Sequence, residues 1–151
     1  MNTTIRQLLD TADLLIADNG CSASTGPVAG GSATTGASTA GPTPPVTLTL
    51  TATAASRCRG AAFALRAALE SAVATRLATH GAPRTIREGS MRAALLWLRG
   101  CAEAGTARRA KAAWSQLCLG CHYHQYEIGP TEDQVRAWRA EVAAIVALLA
   151  C

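Results

Sequence analysis

The densest cluster of side chains able to do chemistry is Cys118-Leu119-Gly120-Cys121-His122-Tyr123-His124. The Cys-x-x-Cys-His spelling matches the attachment site of a c-type haem. That chemistry requires export. The chain opens MNTTIRQLLDTADLL, with one arginine, two aspartates and no apolar h-region, so no signal peptide is expected. Zinc is a second use, because Cys118, Cys121, His122 and His124 are all suitable ligand types. On a helix turning about 100° per residue, Cys118, Cys121 and His122 share a face and His124 lies off it, so the fourth ligand would come from Cys101 or Cys151. Structural zinc sites usually join two ligand pairs from separate stretches of chain, and this cluster is half of one. A nucleophile and base, Cys121 with His124, would lack both an oxyanion site and an orienting third group. A thioredoxin-like pair belongs at a helix N-terminus, whereas Cys118 lies late in a helix. The expected role is packing, since Cys118 and Cys121 continue the stripe of Trp114 and Leu117 and a buried thiol behaves as a small hydrophobe.

A second candidate surface is basic. Arg84, Arg87, Arg92, Arg99, Arg108, Arg109 and Lys111 face only Glu88 and Glu103 over the same stretch. The order helix, turn, helix places Arg108, Arg109 and Lys111 at the start of a second helix, where a helix-turn-helix keeps its base-contacting residues. Positive charge there opposes the helix dipole, so local stability does not explain it. A turn from Gly100 to Gly105 is longer than that motif uses, and a solvated arginine-rich face is the simpler reading. Catalysis has less support. The chain has no Gly-rich phosphate loop, no Gly-x-Ser-x-Gly elbow and no His-Glu-x-x-His, and its few acids fall on helix surfaces and caps.

The elements that must position these residues follow from apolar spacing. Ile5, Leu8, Leu9, Ala12, Leu15 and Ile16 form one face of a helix over residues 4–19, capped by Thr3 or Thr4 and stopped at Asn19-Gly20. Residues 20–45 are built from Gly, Ser, Thr, Ala and Pro, and no charge occurs between Asp18 and Arg57. Such a stretch buries too little to offset its ordering entropy and reads as a flexible linker. Val46, Leu48 and Leu50 then alternate with threonines, a strand pattern without a partner in the chain. It reads as the extended end of the linker, or as a strand paired with its copy in a dimer.

Helices are expected from there to the end. The first spans 54–79, with Cys58, Ala62, Leu65, Leu69, Ala72 or Val73, and Leu77 inward, and ends at His80-Gly81-Ala82-Pro83. The next covers 85–99, with Met91, Ala94, Leu95 and Leu98 inward, its start delayed by Gly89-Ser90 with Ser90 as cap. Another runs from Thr106 to Tyr126. The last has the clearest start: Thr131 and Gln134 spell a capping box, Glu132 and Asp133 favour the dipole, and Glu132 can pair with Arg136. Val135, Trp138, Val142, Ile145, Val146 and Leu149 form its stripe.

The fold class is therefore mainly α: a bundle of about four helices over residues 54–151, with an N-terminal amphipathic helix at 1–19 joined through a linker at 20–53. A length of 151 residues suits one domain. Hydrophobic residues are 49% but aromatics only 4%, and alanine supplies much of the former, so the core should be thin and self-association is a natural support. There are 13 arginines to one lysine, most simply a mark of a GC-rich genome. Residues 1–56 carry a net −2 and residues 57–151 a net +6, an asymmetry that points to an anionic partner. Without export the six cysteines should be reduced, and no apolar run is long enough for a membrane span. The expected location is the cytoplasm.

The order of parts resembles small, uncharacterised helical proteins of actinobacterial bacteriophages. It is carried by the leucine-rich start Ile5-Arg-Gln-Leu-Leu-Asp-Thr-Ala-Asp-Leu-Leu15, the spacer Gly41-Pro-Thr-Pro-Pro-Val46 and the helix Arg92-Ala-Ala-Leu-Leu-Trp-Leu-Arg99. It covers most of the chain as a likeness of style, and implies an accessory protein of the host cytoplasm or the virion, with no activity or site residues to transfer. The expected function is thus a non-enzymatic, phage-encoded accessory protein acting through protein contacts, with the N-terminal helix as a docking element. The alternatives are a nucleic-acid-binding module using Arg84 to Lys111, and a module stabilised by Zn2+ at Cys118 to His124.

Overall fold

The computed structural model describes residues 2–17, 52–122 and 129–151. Among them lie six helices: α1 (Thr3–Ala17), α2 (Ala54–Thr79), α3 (Arg84–Arg87), α4 (Met91–Cys101), α5 (Ala104–Cys121) and α6 (Glu132–Ala150). The mainly helical expectation holds. The linker, the threonine-rich segment at 46–50, the Asn19-Gly20 stop, Tyr123 and His124 lie outside the described residues.

Local chemistry sets the helix ends. Asn2, rather than either threonine, caps α1, its Oδ1 accepting from the Thr4 N–H at 3.1 Å. The Thr53 hydroxyl accepts from the Ser56 N–H at 3.2 Å and starts α2. That helix closes in a Schellman motif: Gly81 takes φ +69°, its N–H reaches the Ala78 carbonyl at 3.1 Å, and the Ala82 N–H reaches Leu77 at 2.9 Å. The single helix expected over 85–99 is two. One turn, α3, stops at Glu88 and Gly89, and Ser90 restarts the chain by accepting from the Ala93 N–H at 3.3 Å. Gly89 is the residue this break allows, since an added Cβ would lie 2.4 Å from the Thr85 carbonyl oxygen.

The turn expected from Gly100 to Gly105 shortens to Ala102 and Glu103. Glu103 takes the N-cap role that Ser or Thr usually fill. Its carboxylate accepts from the N–H groups of Gly105 and Thr106 at 3.0 and 3.2 Å. These bonds, Gly105 first, hold it below the usual carboxylate range. The capping box of α6 forms as read, with Thr131 and Gln134 bonded reciprocally, and Arg136 pairs with Glu132 at 3.2 Å.

The tertiary arrangement centres on α2, which packs against each of the other five helices. Its ten buried residues include Ala61, Ala62, Ala64, Ala68 and Ala72. They spread over roughly 220° of its circumference, wider than the stripe of a surface helix. Small side chains on that arc let the neighbours come close. Leu65, Leu69, Leu98, Leu117, Val135 and Ile145 fill the space between.

The N-terminal helix belongs to this core. Ile5, Leu9, Ala12 and Ile16 are buried against α2 and α6, and Asp13 makes a two-pronged ion pair with Arg139 at 2.6 and 2.9 Å. Burying each of its larger residues stabilises the folded chain by about 1.5–3 kcal/mol. The face expected to dock elsewhere is already covered by the chain itself.

Candidate functional site

The basic side chains fall into two groups once placed. Arg84 pairs with Glu88 at 2.7 Å, and the Nε of Arg87 donates to the Ala82 carbonyl at 3.2 Å. Arg109 grips Glu141 of α6 through two bonds of 2.8 Å, which hold the Glu141 carboxyl below its ordinary range. The remaining four, Arg92, Arg99, Arg108 and Lys111, surround one groove of about 570 Å³ between α4 and α5. Among the described residues none of the four is in an ion pair.

Helical spacing builds the groove. On α4, Arg92, Leu95, Leu96 and Arg99 stand at i, i+3, i+4 and i+7, a single stripe. On α5, Ala107, Arg108, Lys111, Trp114 and Ser115 form the opposing stripe. The turn end carries Arg99 and Arg108, Lys111 comes next, and Arg92 stands at the far end of α4. The lining between them is mostly apolar: Leu96 is 67% exposed, while Leu95 and Ala107 form the base. The adjacent acid, Glu103, has its oxygens turned onto the start of α5. Four like charges around an apolar floor raise the local positive potential, which the Glu103 carboxylate near Arg108 offsets in part.

Trp114 is held from below. Its indole Nε1 donates to Oε1 of Glu70 at 3.0 Å, and the same oxygen accepts from Nε of Arg66 at 2.8 Å. The Arg66 guanidinium also lies 5.7 Å from the Trp114 ring, a cation–π contact. The next link joins the groove to the cysteine cluster: Nη1 of Arg66 is 3.2 Å from Nε2 of His122. A guanidinium only donates, so in this contact the ring nitrogen is the acceptor.

Cys121 is buried and Cys118 half-buried. Burial pushes both thiols up, and Arg66 offsets part of this. Such thiols are poor nucleophiles at neutral pH. Among the described residues no three His, Cys, Asp or Glu side chains are gathered closely enough for one metal ion, so neither Cys101 nor Cys151 completes a set with Cys118, Cys121 and His122.

Periodicity found the basic residues but not the parts that make a groove of them. Leu96 was legible as an apolar residue one step off the inward stripe of α4. Arg66 and Glu70 stand at the i,i+4 spacing of a helical ion pair, but their further partners His122 and Trp114 lie 56 and 44 residues away and leave no local signal. Among the described residues no helix is long and apolar enough to cross a membrane. Comparison with known proteins finds no matching family model, no matching curated protein and no matching solved structure.

Proposed function

We propose that this chain is a non-enzymatic accessory protein that works by binding a partner protein, and that the α4–α5 groove receives the partner. The observation that carries this reading is the exposed Leu96 ringed by four basic side chains that form no ion pair among the described residues. Leu14 and Leu119 are exposed as well, so exposure alone does not single out Leu96. The four basic side chains around it do, because clustered like charges repel and folding gives no reason to gather them. A partner would relieve both the exposure and the repulsion. Three further carboxylates are engaged in structure: Glu70 with Trp114, Glu103 with the start of α5 and Glu141 with Arg109. The order of helix, Gly/Ser/Thr/Pro-rich spacer and Ala/Arg/Trp-rich helices supports a phage-encoded origin and action in the host cytoplasm.

A second reading, a nucleic-acid-binding module, draws on Arg108 and Lys111, which stand in the first turns of α5 and form no ion pair among the described residues. It is weakened by the ion pairs that engage Arg84 and Arg109, and by an apolar floor that phosphates cannot use. A zinc-stabilised module using Nε2 of His122 would need that nitrogen to leave Arg66.

Photo-crosslinking tests the first reading. A benzophenone amino acid replaces Leu96, and a second chain carries it at Leu148 on α6, also exposed. A protein captured from the producing cells at 96, absent at 148 and lost with Lys111→Glu, supports the groove. Equal capture from both positions sinks it, and capture of the chain by its own copy makes the surface a self-association face.

A further inference from the structure

Resting on that reading of the groove, we infer that its occupant is an acidic amphipathic α-helix of a partner protein: an apolar stripe on the floor, with carboxylates along its flanks. The walls dictate the helical form. Both are helices whose backbone groups bond within their own elements, so the groove offers no ladder to an extended peptide. A strand laid there would leave its own N–H and C=O groups facing Leu96 and Trp114. A helix arrives with these groups satisfied and presents only side chains.

Charge sets the flanks. Arg92 and Arg99 are two turns apart on α4, about 10 Å along its axis, and Arg108 and Lys111 are one turn apart on α5. A helix between them meets cations on both sides, so acids on both edges of its apolar stripe are complementary and basic or neutral ones are not. A second copy of this chain is a poor occupant. Its net charge is +4. Its own acid-bearing helices are engaged, α1 through a buried apolar face and the Asp13–Arg139 pair, and the start of α6 through Arg136.

The test uses the full chain and a fluorescein-labelled synthetic helix with Leu at i, i+3, i+4 and i+7 and Glu on both flanks, read by fluorescence anisotropy. Its Glu→Gln counterpart and a DNA duplex are the competing probes. Saturable binding of the Glu helix is expected, at least about tenfold weaker for the Gln version, and weakened about tenfold or more by Arg99→Glu with Lys111→Glu. Leu96→Asp should abolish it. All three positions are exposed, so the variants should keep the helical circular dichroism of the parent. Equal affinity for the Glu and Gln helices overturns the inference, as does binding indifferent to the groove variants. Tighter, salt-sensitive binding of the duplex, lost in the same variants, assigns the surface to nucleic acid instead. The two levels separate cleanly: capture of a partner at position 96 together with indifference to Glu flanks leaves the groove standing and removes only the acidic helix.

Discussion

The ring of Trp138 in α6 lies directly over the backbone of Gly120 in α5: an added Cβ on Gly120 would meet Cζ3 and Cη2 of the indole at 2.7 and 2.8 Å. Real Cβ atoms do not approach so closely. The glycine, set between the two cysteines of the reactive cluster, is there to seat a tryptophan. Gly120→Ala gains about 1 kcal/mol of helix propensity but forces the indole or the helix to move, which costs about 1–3 kcal/mol. Overpacking wins, and urea denaturation should show net destabilisation. Gly100 is the control. Nothing lies within 4 Å of its would-be Cβ, so Gly100→Ala should stabilise by up to about 1 kcal/mol.

The N-terminal helix should be held by its apolar face far more than by its ion pair. Leu9→Ala removes a buried side chain and should cost about 2–5 kcal/mol. Asp13→Asn breaks a pair whose side chains are 48% and 33% exposed, and should cost no more than about 1 kcal/mol. A comparable loss from both changes would mean that the ion pair holds the helix as firmly as the apolar face does.

Acid should weaken the bundle at two named places. Glu103 is held below the usual carboxylate range by the N–H groups of Gly105 and Thr106, and Glu141 by the hydrogen bonds from Arg109. A lowered folded-state value means that the stabilisation is present above the unfolded carboxyl's range and disappears as pH falls through the folded one. Glu103→Gln and Glu141→Gln should therefore lower the melting temperature at about pH 7, and the penalty should shrink as pH falls through the lowered folded-state range of each carboxyl. A penalty that persists in acid would place these residues in packing, not in charge.

Thiol reactivity should follow exposure. Among the described cysteines, Cys151 is exposed and should react first with a thiol reagent, Cys101 and Cys118 more slowly, and Cys58 and Cys121 only as fast as the chain opens. Burial raises the Cys58, Cys118 and Cys121 thiols, which reinforces that order. Added zinc should leave the rates unchanged. Selective protection of Cys118 and Cys121 by zinc would revive the metal reading.

Much of the local structure was readable before any coordinates. Helix α2 runs over the residues its spacing assigns, Ser90 caps α4 and Thr131 caps α6, because these features depend on neighbours within four residues. The misses have the opposite character. Glu103 replaced the expected threonine start of α5 through its own carboxylate, and the end of α5 at Cys121 is marked by no glycine or proline at the boundary itself. The site was half legible. All seven basic residues were visible, but which of them are neutralised depends on partners such as Glu141, 32 residues from Arg109. Likewise, Asp13 and Arg139 stand 126 residues apart, so nothing local announces that α1 joins the core.

The alanine-lined arc of α2 has an evolutionary consequence. In most cores, variation trims large residues and the surroundings adjust. Here Ala61, Ala62 and Ala68 have no exposed surface. From an alanine codon, single-base changes reach only glycine, valine, threonine, serine, proline, aspartate and glutamate. Each either enlarges the side chain, introduces a buried polar group or weakens the helix. The plainest residues in the chain thus join its large core residues in being hard to replace, and a saturation mutagenesis profile of this protein should show intolerance even where its sequence looks least distinctive.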